Sequence, residues 1–425
     1  MKMKTIQCKY FDWLYKILII YVYFNEILSK SKMELLTGLK YPIVLILAFL
    51  LWNKGKKLKK FFYTKGFRYF YLYIILISFI TSPLYLTYGY TGIGSLKNLI
   101  FLPISVYLFT YYEEVTGKTM SSLLAFCLNV AVAHVVLNTF FYFVELPIWK
   151  TFHPYWGRIS QGYPTIDVVT LSFSLAICLI CNSLKWTICK RLCYALILVV
   201  GIGLLASGTG LVMLVVIFFG AFFTSLAGKN SKKQFMVSVS AFFIISVCFS
   251  FSIQIIKLVD STLYEEMYLS VQNRFAILTG GKSEMDVNTM EVREERRKRL
   301  SRFLTSPIDK ICGTGFAHVD MNPTNERNVG NAVFLEDQYS VNLLTIGYIG
   351  TVLYFGFLLI DLLACFKRKE NLRGLIIGLF LISTFTSGCL INYSIAIFTG
   401  LFLNKKFIDI NSRKNEIIKY RYSNL

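Results

Sequence analysis

Acidic side chains are scarce in this sequence: 24 Asp and Glu stand against 45 Lys and Arg, a formal net charge of +21 at pH 7. In a soluble chain that excess would suggest nucleic acid. In a membrane chain it is expected in cytoplasmic loops beside anionic lipid, so a nucleic-acid partner is set aside. Cofactor signatures are missing too. Nothing resembles a Walker loop, a dinucleotide fingerprint or a metal-ligand cluster, and neither a metal nor a cofactor is expected. There are only 3 histidines. None lies near the "CLIC" pair Cys178 and Cys181, which excludes zinc there and leaves packing within a helix. The 10 cysteines fall mostly in apolar stretches. The one long hydrophilic segment has Cys312 alone, so it holds no internal disulfide. The N-terminus is basic and then apolar, but no small-residue cleavage site follows, and a retained first span is expected.

Apolar residues are what the sequence has in plenty: 55% hydrophobic and 16% aromatic over 425 residues, with a mean hydropathy of +0.55. One soluble core could not use so much, so the expectation is an all-α polytopic integral membrane protein. Stretches approaching the roughly 20 residues of a bilayer crossing recur about 12 times. They are Phe11–Leu28, Tyr41–Trp52, Tyr69–Leu86, Ile93–Tyr112, Met120–Phe143, Thr165–Leu184, Leu192–Ala206, Leu211–Leu226, Phe235–Ile256, Tyr339–Phe366, Gly374–Ile391 and Tyr393–Leu403. The second and the last are short. The chain thus divides into an N-terminal bundle of about nine spans over 1–256, a large loop over 257–338, C-terminal spans over 339–404 and a basic tail over 405–425.

Lysine and arginine in the short connections set the orientation. "WNKGKKLKKFFYTKGFR", "KWTICKR", "KNSKK", "FKRKENLR" and the basic tail fall on one face if the spans alternate. That face is expected to be cytoplasmic, with both termini inside. Lys30, Lys32 and Lys40 disagree, since they would lie outside, and they leave the first two spans in question. The long connections Glu145–Pro164 and Lys257–Gln338 then face outward. Long loops orient poorly by charge and seldom lack a function.

Within the larger loop runs "MEVREERRKRLSRFLTSPIDKICGTGF". As a helix at 100° per residue, Glu291–Thr305 gathers Val292, Leu300, Phe303 and Leu304 in a stripe of roughly 120°. Arg296 falls inside that stripe, Arg293 and Arg299 at its edges, and Glu294, Glu295, Lys298 and Arg302 opposite. Ser306 and Pro307 should stop the helix, and Gly313 and Gly315 should make a tight turn. Lipid headgroups could account for an interfacial basic helix. Yet Arg158 in "HPYWGRISQGYPT" and Glu336–Asp337 in "VFLEDQYSVNLLTIGYIG" sit at the same membrane face. Arginines with a carboxylate are the parts needed to hold an anionic lipid head and accept a proton.

The words "EVREERRKRLSRFLTSPIDKICGTGF" and "EDQYSVNLLTIGYIG", set in a many-span chain with an arginine-bearing middle loop, resemble the O-antigen and capsular-polysaccharide repeat-unit polymerases, relatives of the O-antigen ligases. The specific likeness covers only Arg158–Thr165 and Arg293–Gly350. It implies a membrane glycosyltransferase of the bacterial inner membrane, serving lipopolysaccharide or capsule synthesis. A sugar hydroxyl of one undecaprenyl-diphosphate-linked repeat attacks the anomeric carbon of a growing polysaccharide and displaces the lipid diphosphate, without nucleotide or cofactor. A chain-length regulator protein is a candidate partner, besides membrane lipid. Guanidinium groups suit the leaving diphosphate, and a carboxylate or imidazole suits the acceptor proton.

Carried onto this sequence, the resemblance assigns the diphosphate to Arg158 and Arg293 and, less specifically, to Arg274; Arg296, inside the helical stripe, joins them as a candidate. The base stays open among Asp337, Glu336 and His318. Asp337 stands where the ligases have histidine, and "ASGTGLV" has Gly208 where the family has an arginine after the seventh span. The alternatives are a ligase or, more distantly, a flippase or transporter, which would place charge at broken mid-membrane helices. Elsewhere, His134 fits packing or a hydrogen bond inside the bundle, His153 plain exposure, and Lys97 an interfacial anchor. Asp167 could pair with Arg158 or simply reach the interface.

Overall fold

The computed structural model describes residues 2–30, 33–57, 64–84, 96–144, 164–226 except 182, 185 and 206, scattered positions between 254 and 265, 298–320, 333–335, 337–385, 390 and 392–403. The described chain is helical, apart from one pair of two-residue strands. Helix α1 spans Lys2–Lys30, a 3-10 turn spans Glu34–Leu39, and α2 spans Lys40–Asn53. There follow α3 (Lys65–Ile80), α4 (Phe101–Thr110), α5 (Tyr112–Thr116), α6 (Met120–Phe143), α7 (Pro164–Ile180), α8 (Ile188–Leu204) and α9 (Gly208–Leu226). The large loop contributes α10 (Pro307–Cys312), β1 (Val319–Asp320) and β2 (Val333–Phe334). The chain continues with α11 (Gln338–Arg368), α12 (Asn371–Ser383) and α13 (Tyr393–Leu403).

Each expected span coincides with one of these helices, except Phe235–Ile256, which falls almost wholly outside the described residues. Among the described residues three helices are long and apolar enough to cross a membrane: Leu35–Asn53, Met120–Phe141 and Gln338–Arg368. The other apolar helices, such as Ile166–Ile180 and Tyr393–Leu403, are shorter. Large apolar side chains stay exposed on the outward faces of α2, α3, α9 and α11, among them Phe49, Phe79, Phe223 and Ile360. A surface of this kind suits lipid rather than water.

The first two stretches both form helices, and the second lies within the long apolar helix Leu35–Asn53. On α1, Phe11, Tyr15, Leu18, Ile19 and Val22 are buried at the spacing of one helical stripe. Lys40 opens α2 half-buried and donates to Asn25 Oδ1 at 3.1 Å. At the centre lies α13, apolar on every side and buried from Tyr393 to Leu403. It runs parallel to α4, with Phe101 on Tyr393 and Ser105 Oγ donating to the Ala396 carbonyl.

These contacts define two ends. One is basic: Lys56 pairs with Glu114, Lys118 Nζ lies 2.7 Å from Asp12, and Arg191 donates to the Cys181 and Leu184 carbonyls. There also Arg373 Nη2 binds both oxygens of Asp361 at 2.9 and 2.6 Å. The opposite end holds the starts of α2, α4, α7, α11 and α13 together with the described part of the large loop.

Candidate functional site

The two sequence words that carry the resemblance meet backbone to backbone at this second end. α11 is broken at Gly347, where φ 61 and ψ −164 leave the helical region. The break releases carbonyls from the intrahelical ladder, and the loop takes them. Thr314 N–H donates to Leu344 O at 2.8 Å, Gly315 N–H to Thr345 O at 2.9 Å, and Thr314 Oγ1 to Leu344 O at 3.0 Å. Approach is this close because neither side has a side chain. A Cβ on Gly313 would overlap the Thr345 backbone, and one on Gly347 would overlap the Ile311 carbonyl. "CGTGF" is thus one half of a junction with "LTIGYIG", rather than only the tight turn expected of it.

Upstream of the junction, residues 298–303 are helical. Leu300 is buried and Phe303 and Leu304 pack on the core, while Lys298 and Arg302 are exposed, as the expected stripe requires. Ser306 and Pro307 do more than end that helix. Ser306 caps α10 in a capping box: Asp309 N–H donates to Ser306 Oγ at 3.0 Å, and Ser306 N–H to Asp309 Oδ2 at 2.9 Å. Burial raises the Asp309 pKa, but the Ser306 hydrogen bonds and nearby His318 outweigh it and hold the carboxyl below its ordinary value.

His318 is buried, and its ring tilts against Phe303 at 4.7 Å. It directly precedes β1, which pairs in parallel with β2 at Val319↔Val333 and Asp320↔Phe334. Asp337 lies beyond the far end of that pairing, as the N-cap of α11. It accepts from Ser340 N–H at 2.7 Å and Ser340 Oγ at 2.9 Å. The structure therefore gives Asp337 a structural task and does not bond it to His318. Arg158, Arg274, Arg293, Arg296, Glu336 and His153 lie outside the described residues. Next along α11, Gln338 donates to Asn342 Oδ1 and accepts from Leu390 N–H, both at 2.8 Å, which ties this end to the start of α13.

No family model matches this chain, and no curated protein or solved structure matches it. The site is accordingly read from its own side chains.

Beside the junction the same end carries two lysines that the sequence marked only as an interfacial anchor, Lys97, and an orientation exception, Lys40. Lys40 and Lys97 both lie over the Tyr41 ring, at 5.5 and 4.9 Å, and Lys40 also lies 5.3 Å from the Tyr393 ring. Tyr41 Oη donates to Asn98 Oδ1 at 2.9 Å. Two cations over one ring make a positive, aromatic-lined patch. The signal was present in "GLKY" and "SLKN", where a lysine stands at the start of an apolar run, but lysines there are ordinarily anchors.

Deeper in, His134 on α6 and Asp167 on α7 face each other, with Nε2 3.4 Å from Oδ1 and both side chains buried. Tyr23 and Phe24 flank the imidazole at 6.2 and 5.4 Å. The buried Asn342 Nδ2, Tyr393 Oη and Ser394 Oγ have no hydrogen-bond partner among the described residues. Such groups are costly unless another molecule satisfies them. Cys178 and Cys181 are buried and unpaired within the bundle. Among the described residues no group of three or more His, Cys, Asp or Glu could hold a metal.

Proposed function

We propose that the chain polymerises undecaprenyl-diphosphate-linked oligosaccharide repeats on the outer face of the bacterial inner membrane. It would do so with about 12 spans and both termini cytoplasmic. The observation that carries this reading is the junction itself: α10, which follows the described helix over 298–303, ends at Gly313 on the broken α11, which Asp337 heads. Arg158, Arg293, Arg274 and Arg296 hold the lipid diphosphate in this reading. The Lys40 and Lys97 patch at the same end adds positive charge, and no cofactor takes part.

The chemistry is a displacement at the anomeric carbon. The acceptor hydroxyl gives its proton to Asp337, with Glu336 and His318 in reserve, and its oxygen forms the new glycosidic bond. The bond to the diphosphate breaks, and that group leaves with its electron pair. Fixed guanidinium groups stabilise the growing charge through bidentate hydrogen bonds that lysine cannot reproduce. Arg158→Lys and Arg293→Lys should therefore abolish polymer nearly as completely as the alanine variants, at unchanged protein level. Normal polymer from both lysine variants would reduce these arginines to headgroup anchors and contradict the reading.

A further inference from the structure

The basic end of the bundle carries a cleft that this reaction leaves unused. It measures about 390 Å³ and lies between the first turn of α3 and the last turns of α11, lined by Lys65, Gly66, Phe357, Ile360, Arg368 and Arg373. That volume suits a small polar group rather than a folded partner. Its floor is fixed. Arg373, 3% exposed, donates through Nη2 to both Asp361 oxygens and through Nη1 to Glu370 Oε2 at 3.1 Å.

The rim is positive. Three cations, Lys65, Arg368 and Arg373, meet two carboxylates, Asp361 and Glu370. Arg368 reaches Glu370 only at 4.0 Å with its side chain mostly exposed. Lys65 makes no ion pair among the described residues, and it stands in the first turn of α3, where the helix dipole adds positive potential. One wall is different in kind. Ile360 is 68% exposed, and along the same outward faces Leu363, Phe366, Tyr69 and Leu72 are exposed too. Headgroup-level cations thus adjoin an apolar surface that reads as lipid-facing.

We infer that this cleft binds the phosphate headgroup of an anionic phospholipid, with the phosphate between Lys65 and Arg368 and the acyl chains along α3 and α11. The inference needs the apolar faces to lie in a membrane, and it does not depend on the polymerase reading. A free phosphate offers the same charge but nothing for the apolar wall. Asp361 does not repel the ligand, because Arg373 covers both of its oxygens.

The test uses the purified, delipidated full chain in mild detergent, titrated with phosphatidylglycerol, phosphatidylcholine or inorganic phosphate and read by native mass spectrometry. Phosphatidylglycerol should bind as one tight copy, and Lys65→Gln with Arg368→Gln should weaken it by about tenfold or more. Both side chains are exposed, so the double variant should melt as wild type does. Lys190→Gln, which removes an exposed charge at the same end, should change nothing. Equal affinity for phosphatidylcholine, or undiminished phosphatidylglycerol binding by the double variant, would overturn the site. Inorganic phosphate binding as tightly as the lipid would overturn the lipid assignment.

Discussion

Asp337 caps α11, and in the proposed reaction the same carboxylate takes the acceptor proton; substitution can separate the two. Asparagine caps a helix about as well as aspartate, whereas alanine loses about 1 kcal/mol at such a position. Asp337→Asn should therefore melt within about 0.5 kcal/mol of wild type, yet turn over repeats about 10²-fold more slowly if the carboxylate is the base. Normal turnover would pass that role to Glu336 or His318. Asp309 offers a pH signature. Its folded-state pKa lies below the ordinary carboxyl value. The stabilisation it lends is thus fully present above the unfolded value of about 3.9 and is lost as pH falls through the folded one. Asp309→Asn should flatten the acid limb of the stability curve below about pH 4, measured by thermal unfolding in detergent. An unchanged limb would mean that the capping box has no electrostatic role.

At the scale of elements, the break in α11 and the loop that fills it should stand or fall together. Gly347→Ala forces a side chain into φ 61 and against the Ile311 carbonyl. A cost of about 1–3 kcal/mol is expected from the backbone strain alone. Gly313→Ala should act the same way, while Gly378→Ala, with open space around it, should be tolerated. Limited proteolysis of the 298–320 segment should rise in the first two variants and not in the third. Asp361→Ala should cost about 3–5 kcal/mol, because it leaves the buried Arg373 without its bidentate partner.

Much of this level was legible beforehand. Hydropathy located the helices, and the stripe of Leu300, Phe303 and Leu304 was read correctly from spacing. The Gly313 to Gly347 junction was not. Glycine in sequence signals freedom of φ, but its partner across a long loop leaves no local trace. The His134 and Asp167 pairing was hidden for the same reason, since two helices must first be packed before their faces are known.

For the whole molecule, the proposed topology has the large loop outside and the basic end inside. A membrane-impermeant thiol reagent on intact cells should label cysteines placed at Ser283 and Asn325 and leave tail positions untouched. Tail labelling with both loop sites silent would invert the topology. The reaction itself is tested most directly with the purified chain in lipid vesicles, supplied with undecaprenyl-diphosphate-linked repeats and no nucleotide sugar. A ladder of lengthening lipid-linked saccharide is expected, with release of one undecaprenyl diphosphate per bond formed, and it should be lost in Arg293→Ala. Repeats that remain single while the protein is folded, membrane-inserted and binding its donor would contradict it.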